Sequence, residues 1–246
     1  MPQKRLRIFA GPNGSGKSSL LERIPESVPL GYYINADEIE KQITSNLGIP
    51  LSKYGISADS DMLYRFLENS DFVKIKSDLA SLQSTFIIIN NILKTKTSNF
   101  PPKYSAAIIS DFIREENLNK GNDFSFETVM SHSNKIDFIG RANSNGYHVY
   151  LYYISTDDVR VNVDRVKTRV RNGGHHVPEN KIKERYLRSL DILYDALKIC
   201  YKSYLFDNSD ITIEIARIDR DRKMYILVPR RLIPNWMIKY VILKSV

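Results

Sequence analysis

The sequence predicts an α/β fold, a three-layer sandwich around a mostly parallel central sheet. Three observations predict it. Short apolar strands alternate with amphipathic helices along the 246 residues, the pattern of parallel strands joined by crossover helices. A glycine-rich stretch separates the first strand from the first helix. Gly11, Asp37, Glu127 and Ser155 each follow or end a predicted strand, which gathers them on the sheet edge where ligands bind in such folds.

Each element has its own signal. Leu6 to Ala10 reads as a strand, and Lys17 to about Ile24 as a helix stopped by Pro25. Tyr32 to Ile34 is a second strand, followed by a helix from Glu38 to about Leu47. Residues 49–121 read as a mostly helical insertion, with a strongly apolar run from Leu79 to Leu93 and a break at Pro101-Pro102. Phe124 to Glu127 is a strand, and Ser133 to Ser144 a helix closed by Asn145-Gly146. Tyr147 to Ile154, rich in Tyr, Val and Ile, reads as a buried strand. Ser155 to Asp158 starts a helix with Val159, Val163, Val166 and Val170 on one face. Pro178-Glu179 opens a long helix whose apolar spacing runs from Ile182 through Cys200 to Tyr204. Residues 206–246 read as a hairpin, around Asp219 to Lys223, and a short helix carrying Trp236. The whole chain, 1–246, reads as a single domain bearing these additions.

Composition narrows the class. Hydrophobic residues make up 42%, enough for a packed core, and the net charge of +8 favours anionic partners. Cys200 is the only cysteine, so a disulfide framework is excluded and a buried thiol in a reducing compartment is expected. The segment after Met1 suits neither a signal peptide nor a membrane span. A cytoplasmic protein with no membrane attachment is the expectation.

Gly11-Pro12-Asn13-Gly14-Ser15-Gly16-Lys17-Ser18 matches G-x-x-x-x-G-K-S/T, with a strand before it and a helix after it. Glycines let successive amides turn inward as a nest for phosphate oxygens, and the helix start adds partial positive charge. The match predicts a P-loop NTPase sandwich binding ATP or GTP on residues 11–19, Ser19 included. Lys17 is placed to bridge the β- and γ-phosphates, and the Ser18 hydroxyl to bind Mg²⁺.

Polar residues surround this loop. Asp37 suits proton removal from a substrate hydroxyl or water-mediated Mg²⁺ binding; an N-cap is the alternative. Glu127, a carboxylate ending an apolar strand, reads as a substrate contact or a buried ion-pair partner. Arg165 and Arg169 lie four apart on one helix face, suited to the charge of a moving phosphate or to a solvated basic face. Gly173 to Pro178 looks like a lid loop in which His175 donates to phosphate or substrate.

Four stretches together resemble the zeta toxin-like P-loop kinases, including the shorter bacterial group of predicted ATPases. They are residues 11–19, Ile34-Asn-Ala-Asp-Glu-Ile39, Phe124-Ser-Phe-Glu-Thr-Val-Met-Ser131, and the Arg165 to Glu179 run continuing to Arg185-Tyr-Leu-Arg-Ser189. The resemblance covers roughly residues 5–48 and 122–205. It implies ATP-dependent phosphorylation of a hydroxyl on a small nucleotide sugar, such as a UDP-N-acetylhexosamine. It also implies Asp37 as base, Glu127 against the sugar, Arg165 on the transferred phosphate, and an antitoxin protein as partner. His175 stands where the founding toxins carry an arginine. Two other readings are a kinase of nucleic-acid ends, which the charge permits, and a nucleotide-dependent binding switch with little turnover.

Overall fold

The computed structural model describes residues 3–45, 47–70, 79–96, 101–174 and 176–245. The chain divides into two compact units, Met1–Pro29 with Ser125–Val246, and Leu30–Phe124.

The first unit is built on β1 (Lys4–Ala10), β6 (Phe124–Thr128), β7 (Tyr147–Ser155), β8 (Lys202–Asp207), β9 (Ile213–Ile218) and β10 (Met224–Ile226). Across the sheet these run in the order β10-β9-β8-β7-β1-β6. β1, β7 and β8 are parallel, with Ala10 opposite Tyr153 and Ser155 opposite Asp207. β9 and β10 add antiparallel to the far side. β7 is central, and its last five residues are all buried, as a strand covered on both faces requires. The carboxyl ends of β1, β7 and β8 therefore share one edge of the sheet. This is the mostly parallel α/β architecture the alternation predicts.

Helices of the first unit are α1 (Lys17–Leu21), α6 (Asn134–Ser144), α7 (Val159–Arg171), α8 (Glu179–Asp191), α9 (Leu193–Ile199) and α10 (Asn235–Tyr240). The valine stripe is a packing face: Val163 and Val166 are buried with Val177 and Ile182, and Val170 rests against them. Asp158 caps α7 by accepting from the Arg160 amide at 2.8 Å.

The long helix expected from Ile182 to Tyr204 is corrected. Helix α8 ends at Asp191, α9 ends at Ile199, and Cys200 is extended. Tyr204 lies in β8, its ring stacked on that of Tyr152 at 4.8 Å. From Lys202 to Asp207 burial alternates residue by residue, the period of a strand. The three-and-four spacing that continues into it is accidental. Cys200 is buried, and desolvation pushes its thiol up to about 12.

The second unit holds β2 (Tyr32–Ile34), α2 (Ala36–Thr44), α3 (Ser60–Asn69), α4 (Leu79–Thr85) and α5 (Pro102–Lys120). It also contains a small antiparallel sheet of β3 (Ile49–Pro50), β5 (Ile92–Thr95) and β4 (Phe86–Ile89). Helices occupy much of 49–121 as expected, but the apolar run from Leu79 to Leu93 becomes one helix and a hairpin. The β-branched Ile87-Ile88-Ile89 run favours the pleated strand, and Asn90-Asn91 supplies the turn.

Candidate functional site

The Gly11–Ser18 loop leaves the carboxyl end of β1 and enters α1. Three of its glycines hold positive φ: Gly11 at 148°, Gly14 at 77° and Gly16 at 99°. At Gly11 the need is absolute, because a Cβ there would stand 2.0 Å from the Ile154 carbonyl oxygen. The Gly11 amide donates to the Thr128 carbonyl at 3.2 Å, which fixes the loop's entry beside β6.

Side chains hold the loop from outside. The Asn162 amide nitrogen donates to the Asn13 carbonyl and the Asn208 amide nitrogen to the Ser15 carbonyl, both at 2.8 Å. The Lys17 ammonium donates to the Gly11 and Pro12 carbonyls, each at 2.9 Å, so the charge stands over the loop's own mouth. The Ser18 hydroxyl bonds Glu127, 3.3 Å from Oε1 and 3.1 Å from Oε2.

Arg165 is half-buried. Its guanidinium donates to the Asn208 carbonyl at 2.7 Å and the Ser209 carbonyl at 3.5 Å. These anchors hold one cation beside the loop that follows β8. Arg169, one turn on, is exposed, and its carbonyl accepts from the Gly174 amide at 2.9 Å.

The structure thus brings together, within the first unit, Gly11 through Ser19, Glu127 and Arg165. Asp37 lies in the second unit, exposed in the first turn of α2. Its amide donates to the Asn35 side chain at 2.8 Å, so Asn35 is the N-cap and Asp37 is not. His175 lies outside the described residues. Sequence reasoning missed Asn162, Asn208, and the Thr156 hydroxyl that donates to Asn162 Oδ1. The expected helix to Tyr204 covers the first half of β8 and so hides that Asn208 follows a strand. Asn162 had one available signal, a polar residue inside the valine stripe.

The residues fit a phosphate-bearing ligand. Ser15 Oγ is buried in the loop and finds no hydrogen-bond partner among the described residues, and a buried orphan hydroxyl can donate to an anionic oxygen. Ser18 and Glu127 offer hard oxygen donors in contact, suited to Mg²⁺, which takes one or two protein oxygens beside phosphate and water. Among the described residues no group of three or more His, Cys, Asp or Glu forms a metal cluster. No described helix is long and apolar enough to cross a membrane.

No family model matches the sequence. An uncharacterized protein of Haemophilus influenzae is 38% identical over 63 residues, 26% of this chain and 45% of that protein. Among solved structures, AvrRxo1-ORF1:AvrRxo1-ORF2 with sulphate ions is similar over 92% of this chain, at 12% identity and a TM-score of 0.53. AvrRxo1-ORF1:-ORF2 with ATP gives 13% identity and a TM-score of 0.51, also over 92%. In both, the match spans 61% of the other chain's length. At such identities the likeness shows the fold, a P-loop NTPase-like α/β sandwich.

Proposed function

We propose that this protein is an ATP-dependent kinase that moves the γ-phosphate of ATP to a hydroxyl group. The observation that carries the reading is the cradle: a positive-φ glycine loop with Lys17 over its mouth, and Ser18 in contact with Glu127. The solved neighbour that contains ATP supports the same nucleotide here. The motif resemblance narrows the reading to a zeta toxin-like kinase acting on a small nucleotide sugar. It also supplies an antitoxin partner, and the neighbour's assembly of ORF1 with ORF2 agrees with a protein partner.

The chain's residues divide the work. Loop amides and the Lys17 ammonium bind the phosphates, exchanging loop carbonyls for phosphate oxygens as the lysine swings over. Ser18 and Glu127 would hold Mg²⁺, which when bound neutralises phosphate charge. Arg165 is kept near the phosphates as a permanent cation by the Asn208 and Ser209 carbonyls. The motif resemblance would give Asp37 the proton of the acceptor hydroxyl, and Glu127, Arg169 and His175 contacts to that acceptor. Such catalysis is mainly positioning and electrostatics.

A transfer screen with γ-labelled ATP over nucleotide sugars and oligonucleotides tests this. Asp37→Asn is expected to lower transfer by about a hundredfold or more while ATP still binds. Lys17→Ala is expected to remove measurable ATP binding from a folded protein. Undiminished ATP affinity in Lys17→Ala, or normal ATP binding with no acceptor labelled, overturns the reading.

A further inference from the structure

We propose that Asn162 and Asn208 are positioning residues that set the direction of the cradle's amides, one clamp for each of two alternate peptides. The proposal rests on the phosphate-binding reading of the Gly11–Ser18 loop.

A trans peptide is planar, so its C=O and the following N–H point in opposite directions. Asn162 holds the Asn13 carbonyl, which turns the Gly14 N–H away from that clamp. Asn208 holds the Ser15 carbonyl, which does the same for the Gly16 N–H. Between them the Ser15 N–H is already spent on the Pro12 carbonyl at 3.3 Å. Among the described residues neither the Gly14 nor the Gly16 amide donates to any protein acceptor. Both of these unspent N–H groups follow a clamped carbonyl.

Each clamp has its orientation fixed. Asn162 Oδ1 accepts from the Thr156 hydroxyl, and Asn208 Oδ1 accepts from the Thr212 hydroxyl at 2.9 Å. The loop carbonyls can only accept, so each NH₂ group faces the loop, and each Oδ1 is left to its threonine hydroxyl, which holds the amide plane in place. The clamps also explain the glycines. A Cβ on Gly14 would lie 2.5 Å from the Asn162 carbonyl oxygen, and one on Gly16 would lie 2.3 Å from Asn208 Nδ2. Asn208 further ties the loop to Arg165 through its own carbonyl, so one residue sets the loop and the cation together.

The test is calorimetric binding of ADP with Mg²⁺, beside the melting temperature without nucleotide. Asn208→Asp keeps shape but replaces the donor with an acceptor facing the Ser15 carbonyl. It is expected to weaken ADP by about tenfold or more. Thr212→Val removes the bond that holds the Asn208 amide plane and is expected to cost about threefold, whereas Thr212→Ser keeps parental affinity. Both Thr212 variants are expected to melt with the parent, and they decide the matter if Asn208→Asp fails to fold. Parental affinity in both Asn208→Asp and Thr212→Val overturns the proposal, as does a loss that only follows a lower melting temperature. A parent that binds ADP but labels no acceptor sinks the kinase reading and leaves the clamps measurable. A parent that binds no nucleotide overturns both.

Discussion

Where the Gly11–Ser18 loop takes up positive φ with glycines, the β4–β5 hairpin takes it up with Asn90 at 51° and Asn91 at 60°. The hairpin uses its side chains. Asn91 Oδ1 accepts from the Ala58 amide at 3.0 Å and its NH₂ donates to the Ile56 carbonyl at 3.1 Å, which offsets the strain of a left-handed residue. The cradle brings its hydrogen bonds from elsewhere, through Asn162 and Asn208, and leaves its own positive-φ positions without side chains. A turn whose task is structural can fill its own space. A turn that must present bare amides to a ligand cannot, so distant residues stabilise it.

The comparison can be broken by substitution. Gly11→Ala should have the largest effect, because its Cβ meets the Ile154 carbonyl, part of β7. Urea unfolding should show a loss of at least about 3 kcal/mol; a loss under about 1 kcal/mol would erase the contrast between the two turns. Asn91→Ala removes two hydrogen bonds and leaves alanine at positive φ, and should cost about 2 kcal/mol in the same measurement. Asn90→Gly should stay within about 0.5 kcal/mol of the parent, since glycine relieves strain there but adds unfolded-state entropy. The smallest effect lies outside both turns and serves as their control. Burial, then the Arg5 and Arg220 charges, holds the His148 imidazole below its usual 6.5. As pH falls through 6.5 the unfolded chain takes up the proton first, so this stability is present above 6.5 and is lost on acidification. His148→Gln should flatten that loss in thermal melts between about pH 7 and pH 5; an unchanged slope refutes it.

How much was legible follows the range of the interactions. The cradle, β1, β7, α6 and the valine face of α7 are written in local pattern: glycine spacing, β-branched runs, caps and helical period. The first half of β8, Lys202 to Tyr204, reads as helix because Tyr204 happens to continue a helical spacing, and only pairing with β7 reveals a strand. That error concealed Asn208, whose importance comes from a residue 193 positions earlier, Ser15. Likewise Leu79 to Leu93 is apolar enough for a helix or a strand, and the hairpin partner decides.

By itself the sequence determined the α/β class and the glycine loop between β1 and α1, because steric and hydrogen-bonding demands within a few residues are local. Tertiary structure alone decided which side chains hold the cradle's carbonyls and that Glu127 meets Ser18. Those outcomes depend on which strands lie side by side and on the side-chain geometry that follows. The linear spacing of residues carries no record of that adjacency.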